Sequence, residues 1–287
     1  MALRYWLWYF NRSTNLLDEG STAAQALRIL NGDVIYRDFF TVVTPVSYFT
    51  VAGLFQVFGE QLIVLRWAAV LCGLAILLAT LAITRRVASW PFAAAAGLLT
   101  TVWGWFLITP NFYSLQAALC ALVALLCYLR DAETPHPKWI VLAGVMAGLT
   151  ALVKQNIGAY AAAGLLLSIW ISRAFDRSTG VRRRLRQSAL FTAGIAIPFV
   201  PTLFYLVIAG AGPYLYESWV YYPLVKYPDR FALPFPSFYP LLPEHGVFTL
   251  RDAAGALATG RVPEPAVFDI WVKFVLYLPV LVYPLTI

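Results

Sequence analysis

The sequence predicts an all-α, multi-pass membrane protein. Of its 287 residues, 61% are hydrophobic and only 12% are charged, about half the charged fraction of a soluble domain. Long apolar runs recur along most of the chain, and such runs form helices because a bilayer offers no partner to unpaired backbone groups. The net charge of +7 includes six arginines between Arg173 and Arg186. They lie between two apolar runs, which indicates a cytoplasmic loop rather than a nucleic-acid site.

About 20 apolar residues are needed to cross the hydrocarbon core. Seven segments are therefore predicted to span: 62–84, 89–108, 112–129, 139–153, 157–172, 188–210 and 267–287. The fourth and fifth are short, and a polar triplet, 154–156, separates them, which predicts a helical hairpin with a polar tip. Residues 2–10 resemble the end of an earlier span and the chain stops inside an apolar run, so we expect a fragment of a longer protein.

Basic residues predict the orientation. Arg85, Arg86 and the later arginine cluster are expected on the cytoplasmic side of a cell (inner) membrane. If successive spans cross the membrane in alternating directions, three polar segments lie on the outer, extracytoplasmic face: 11–61, 154–156 and 211–266. The first 210 residues thus form a transmembrane module, followed by an outer loop and the start of a further span.

The first outer segment is predicted to hold two helices. Apolar residues in 23–30 follow helical spacing and Asn31–Gly32 ends the pattern. Thr44–Pro45 begins a second apolar helix, which Gly59 closes. Both are too short to span, so we expect them to lie along the membrane surface.

The segment 211–266 contains nine of the eighteen prolines. This density excludes a continuous membrane helix and predicts an ordered outer loop. The loop is also rich in tyrosine and phenylalanine, which either anchor it at the interface or stack on a sugar.

Asp18 and Glu19 form an adjacent acidic pair just before the first of these helices. Acidic residues there can cap the helix and complement its dipole. Capping does not explain the neighbouring charges, which are Arg28, Asp33, Arg37 and Asp38.

The ordered motifs of this region resemble a known family. Asp18–Glu19–Gly20 is followed by the sequence RILNGD (28–33), by YRDFF (36–40) and by Thr44–Pro45, and GLTALVKQ occupies 148–155. Together they resemble polyprenyl-phosphate-dependent glycosyltransferases, the membrane group that includes protein mannosyltransferases and aminoarabinose transferases and has the GT-C fold. The resemblance covers residues 1–210.

The resemblance implies a reaction. Asp18 matches the position of the family's catalytic base, which would deprotonate an acceptor hydroxyl that attacks the anomeric carbon of a polyprenyl-phosphate-linked sugar, with inversion. The acceptor is a lipid, a glycan or a protein. Glycoside hydrolysis needs a second carboxyl group as acid, but a phosphate leaves as a stable anion, so one base and a cationic clamp suffice.

Four residues are predicted to bind substrate: Glu19, Arg37, Lys154 and Gln155. In an alternative interpretation, Lys154 only extends its ammonium group to the membrane interface. Arg37 likewise has an alternative, which is an ion pair with Asp33 or Asp38. Glu19 orients a substrate or a divalent metal, whose use varies in the GT-C group. No zinc site is predicted, because the two histidines are far apart and the three cysteines lie in apolar runs.

A membrane transporter or lipid flippase is the alternative function. Transporters place ionisable residues near the middle of the bilayer. Here the charges gather at one surface, and Arg66, near the outer end of its span, is the nearest exception.

Overall fold

The computed structural model describes residues 2–9, 16–106, 112–171 and 181–227. These residues are almost entirely helical and contain no β-strand, so the prediction of an all-α membrane protein is confirmed. The α-helices are α1 (Ala2–Tyr9), α2 (Ser21–Leu30), α3 (Val46–Phe58), α4 (Leu62–Val87), α5 (Trp90–Phe106), α6 (Phe112–Glu133), α7 (Pro137–Val153), α8 (Gln155–Ile171), α9 (Val181–Ile208) and α10 (Gly212–Tyr216).

The helices α4 to α9 correspond to the first six predicted spans. Within the described residues, α4, α6 and α9 are long and apolar enough to cross a membrane. The helices α5, α7 and α8 have 17 residues each, the short end of the range for a spanning helix. The seventh predicted span, 267–287, lies outside the described residues.

The first outer segment contains the two predicted helices, α2 and α3. A five-residue π-helical turn, Leu16–Gly20, precedes α2 and carries the acidic pair. Gly32, after α2, and Gly59, after α3, have φ values of +96° and +95°, which L-residues adopt only with strain. That both helices lie along the membrane surface stays a prediction.

The segment after α9 begins with helical structure. The short helix α10 leads directly into a π-helix, Glu217–Lys226, with Pro223 inside it. Trp219 of this π-helix contacts the ring of Tyr36 edge-on, with 6.1 Å between centroids. Residues 228–266, most of the predicted proline-rich loop, lie outside the described residues.

The helix α7 packs closely against α9. A Cβ atom added to Gly144 would collide with the carbonyl oxygen of Phe191, and one added to Gly194 with the carbonyl oxygen of Val141. The two helix backbones therefore touch, as small residues permit in membrane helix pairs. Phe191 is fully buried beside Ala143 and Ile140.

Polar contacts distinguish the two ends of the helical bundle. At the end that we call the Asp18 end, Thr44 Oγ1 donates to the carbonyl of Ala151 (2.9 Å), and Gln155 Nε2 donates to that of Val42 (2.6 Å). At the opposite end, which we call the Asp131 end, Arg86 pairs with Glu133. That the Asp18 end faces the outside of the cell stays a prediction.

Candidate active site

The acidic pair lies in the π turn that precedes α2. Gly20 is the N-cap residue of α2, and the cap has no side-chain hydrogen bond. The Asp18 carbonyl accepts a 2.7 Å bond from Thr22 Oγ1. The pair therefore does not fill the cap position that would explain it structurally, and π turns are frequent at functional sites.

Glu19 is buried and forms an ion pair with Arg66 of α4. Its side chain is 2% exposed and that of Arg66 is 8% exposed. Arg66 Nε donates to Oε1 at 2.6 Å and a terminal nitrogen donates to Oε2 at 2.9 Å. This two-pronged geometry is the strongest form of carboxylate–guanidinium contact, and it fastens the π turn to α4.

Asp18, the neighbour of Glu19, is half-buried. Tyr113 Oη, at the start of α6, donates to Asp18 Oδ1 at 3.3 Å. Glu19 and Asp18 thus attach one π turn to two different helices.

Lys154 lies at the same end of the bundle as Asp18, against the ring of Tyr113. Its Nζ is 5.1 Å from the centre of the Tyr113 ring and donates to Ser114 Oγ at 2.8 Å. Burial lowers the pKa of Lys154, while the charge of Asp18 opposes that shift. The base and the cation predicted from the sequence are therefore electrostatically coupled in the structure.

Tyr48 of α3 belongs to the same polar group. Burial raises its pKa to about 12; the hydrogen bond with Thr41 opposes this increase, and Tyr113 and Asp18 add to it. Its hydroxyl forms a 2.8 Å hydrogen bond with that of Thr41. Tyr48 is consequently a neutral phenol at physiological pH.

Arg37 and Gln155 are engaged in bonds that fasten the first outer segment. Arg37 contacts both carboxylate oxygens of Asp38 at 2.9 and 2.8 Å and donates to the carbonyl of Ala209, just after α9. This pairing with Asp38 is one of the alternatives that the sequence leaves open. It lowers the pKa of the Asp38 carboxyl to about 2.

The backbone next to Arg37 is strained. Tyr36 has a φ of +71°, an uncommon value for a bulky residue. Its hydroxyl donates to the carbonyl of Val43 at 2.9 Å, and its side chain is 4% exposed. The hydrogen bond to Val43 and the burial of the side chain therefore hold Tyr36 in a backbone conformation that it rarely adopts.

The contacts of Tyr113, Ser114 and Arg66 at this site were not predicted from the sequence. Arg66 could have been found, since an arginine within an apolar span requires a buried partner. Tyr113 and Ser114 give no such signal, because polar residues are common near the end of a span.

The possible ligands of a metal ion are few in this region. No group of three His, Cys, Asp or Glu side chains that could hold a metal comes together among the described residues. Glu19 could serve a metal only if the ion displaced the Arg66 guanidinium from its two oxygens. A role for a divalent metal stays a prediction.

Residues 42–205, more than half of the chain, match the family model for dolichyl-phosphate-mannose-protein mannosyltransferases. The chain belongs to this family. Its members are membrane glycosyltransferases of the GT-C type that use a lipid-linked sugar donor, which favours the transferase over the transporter or flippase alternative. The matched range contains Arg66, Lys154 and Gln155 and begins after Asp18 and Arg37. No curated protein and no solved structure matches the chain.

Proposed function

We propose that this chain transfers a sugar from a polyprenyl phosphate to an acceptor hydroxyl, with inversion and with Asp18 as general base. The reaction takes place at the Asp18 end of the bundle, on the extracytoplasmic side. The observation that carries the proposal is the meeting of a carboxylate and an ammonium group at one tyrosine: Asp18 accepts from the Tyr113 hydroxyl and Lys154 packs on the Tyr113 ring.

Asp18 acts on the acceptor. Its carboxylate takes the proton of the acceptor hydroxyl as the oxygen of that hydroxyl forms a bond to the anomeric carbon. The bond between this carbon and the phosphate oxygen breaks, and the phosphate keeps the electron pair. The hydrogen bond from Tyr113 fixes the carboxylate, and a base held in this way contributes about 10²–10⁴-fold to a rate.

Lys154 acts on the leaving group. A sugar phosphodiester carries one negative charge, and the departing polyprenyl monophosphate carries close to two. A cation beside that phosphate therefore stabilises the transition state more than the ground state. The partial burial of Lys154 supports this role, because a charge pair interacts more strongly where water is scarce.

Glu19 has a positioning role in this proposal. Both of its oxygens bond Arg66, so its carboxylate holds the π turn in place rather than contacting the sugar. Arg37 and Gln155 similarly fasten the first outer segment, through Ala209 and Val42. Direct contact of the Glu19 carboxylate with substrate would need its bonds to Arg66 to break.

The partners follow from the same chemistry. The donor is a polyprenyl-phosphate-linked sugar, the acceptor is a lipid, a glycan or a protein, and membrane lipids surround the bundle. Hexose and pentose donors both satisfy the roles of Asp18 and Lys154, so mannose and aminoarabinose donors are the probes of choice.

The test is an Asp18→Asn variant. Membranes that contain the chain are given polyprenyl-phosphate mannose or aminoarabinose, and released polyprenyl phosphate is measured, which requires no knowledge of the acceptor. We expect the variant to lose about 10²–10⁴-fold in rate. Asp33→Asn is the matched control: it makes the same change in the same outer segment, at a carboxylate that pairs with Arg28 on the surface. An undiminished rate in Asp18→Asn would overturn the assignment.

A further inference from the structure

The ammonium group of Lys154 is held by two consecutive residues of α6. Its Nζ atom lies 5.1 Å from the centre of the Tyr113 ring and donates to Ser114 Oγ at 2.8 Å. Tyr113 and Ser114 belong to the first turn of α6. Phe112, which precedes them, is buried in an apolar cluster with side chains of α3 and α4. The packing of α6 therefore sets the position of the Ser114 hydroxyl.

The backbone of Lys154 is fixed as well. Its N–H donates to the carbonyl of Thr150 at 2.8 Å, and its carbonyl accepts from the N–H of Gly158 at 3.0 Å. Val153, the preceding residue, is fully buried. Both the backbone and the charged end of this lysine are thus held, so Lys154 and Ser114 keep a defined relative position.

The ammonium group of Lys154 retains the capacity to bind an anion. A lysine has three N–H donors, and its contacts among the described residues are the Ser114 hydroxyl and the Tyr113 ring, neither of which is a carboxylate. Asp18 attracts the ammonium group through space. Lys154 is half-buried, and a charge that has lost part of its water is stabilised by a charged hydrogen-bond partner.

Ser114 has a hydroxyl hydrogen to donate. A serine hydroxyl combines one donor with two acceptor positions. Among the described residues, its one hydrogen bond is the bond that it accepts from Lys154, so its own hydrogen has no acceptor there. A donor that binds a hydroxyl oxygen polarises the hydroxyl and strengthens it as a donor in turn. Ser114, like Lys154, is partly exposed.

We propose that Ser114 is a second phosphate ligand of the candidate active site, whose hydroxyl donates to the phosphate group that Lys154 contacts. The inference rests on the proposed function, because it takes a polyprenyl phosphate as the ligand of Lys154. Lys154 Nζ and Ser114 Oγ are 2.8 Å apart, and a phosphate oxygen about 2.8 Å from each accepts from both. Ser114 transfers no proton; it stabilises the charge that collects on the phosphate as the bond to the sugar breaks.

The test measures binding of a polyprenyl monophosphate, the lipid product of the proposed reaction. The purified chain in detergent is titrated with undecaprenyl phosphate, and bound lipid is counted by native mass spectrometry. We expect Ser114→Ala to weaken binding about tenfold, as the loss of one hydrogen bond to a charged group does. Ser114→Thr keeps the hydroxyl and should bind within about threefold of the unsubstituted chain. Ser168→Ala is the matched control, the same change on α8 at a hydroxyl that donates to the Gly164 carbonyl, and it should leave binding unchanged.

Two comparisons separate a phosphate contact from a structural effect. Undecaprenol has the lipid chain without the phosphate, so Ser114→Ala should bind it as the unsubstituted chain does; an equal loss for the alcohol and the phosphate would overturn the contact. In a Lys154→Met background, Ser114→Ala should weaken binding of undecaprenyl phosphate further. No further loss would show that Ser114 acts only by holding Lys154, which would overturn its role as a phosphate ligand.

The outcomes also distinguish this inference from the proposed function. Unchanged binding in Ser114→Ala, together with a loss in Lys154→Met, would overturn the role of Ser114 alone. Unchanged binding in Lys154→Met would overturn the leaving-group role of Lys154 in the proposed function. Alanine favours a helix, so Ser114→Ala should unfold at no lower temperature than the unsubstituted chain, which verifies that the variant is folded.

Discussion

The first outer segment and the α7–α9 pair are held in place by different forces. Polar bonds between residues distant in sequence fasten the outer segment. Glu19 binds Arg66, Thr44 binds the Ala151 carbonyl and Arg37 binds the Ala209 carbonyl. Each bond ties the segment to a different helix or helix end.

The α7–α9 pair is held by contact between backbones. Gly144 and Gly194 leave no room for a Cβ atom, and the buried ring of Phe191 fills the space beside them. Dispersion contacts in such close packing are numerous and need no polar partner.

The two kinds of contact have different structural consequences. Close packing gives the helices one arrangement, and the polar bonds place a short segment on that frame with defined orientation. The position of Asp18 depends on the polar bonds, because its π turn is positioned by its neighbour Glu19. The candidate active site is therefore expected to be sensitive to polar substitutions that hardly affect the helical frame.

The largest effect on stability is expected at the Glu19–Arg66 pair. Glu19→Gln or Arg66→Met alone leaves a buried charge without its partner and should cost about 3–5 kcal/mol. Replacing both, as Glu19→Leu with Arg66→Met, should recover much of that stability, since the buried charges are gone. Unfolding in detergent measures both changes.

A sugar-transfer assay distinguishes the effect of this pair on the position of Asp18 from its effect on stability. The stable double variant should still transfer slowly, with a lower kcat and a nearly unchanged KM, because the π turn is no longer oriented. A double variant with wild-type kcat would show that Glu19 does not position Asp18.

A smaller effect is expected in the helical frame. Gly194→Ala places a methyl group against the Val141 carbonyl and should cost about 1–3 kcal/mol through overpacking. Gly164→Ala is the matched control, since a Cβ there has nothing within 4 Å; it should be neutral or stabilising by up to about 1 kcal/mol because alanine favours the helix. Equal unfolding midpoints for the two variants would contradict the close contact of α7 and α9.

The smallest effect concerns pH. The proposal requires a protonated Lys154, whose pKa lies below the usual value for lysine because of burial. Transfer, measured as kcat/KM, should therefore fall as pH rises through that lowered pKa. In Lys154→Arg the side chain stays charged, so the decline should move to higher pH, and an unmoved decline would assign it to another group.

The helices could be predicted from the sequence because apolar runs of membrane length have few alternatives. The helix α9 begins at Val181, seven residues before the predicted span 188–210. Arginine is a good helix former, so the helix continues through the basic residues at its end, beyond the apolar run. Hydropathy alone does not detect such an extension.

The candidate site could be predicted only in part. Residue types and order pointed to Asp18 and Lys154, and orientation grouped them at one end. Their shared neighbour Tyr113 is 95 residues from Asp18, and the Arg66 that holds Glu19 is 47 residues away. Such pairings arise from helix packing, which local sequence patterns do not encode.

The central claim is that Asp18 acts as a base and not as a nucleophile. The most direct test is the anomeric configuration of the product, determined by NMR and compared with that of the polyprenyl-phosphate donor. If Asp18 activates the acceptor for direct displacement, the anomeric configuration of the product is opposite to that of the donor. A product with the configuration of the donor would contradict the account, because retention indicates a covalent sugar intermediate on the enzyme.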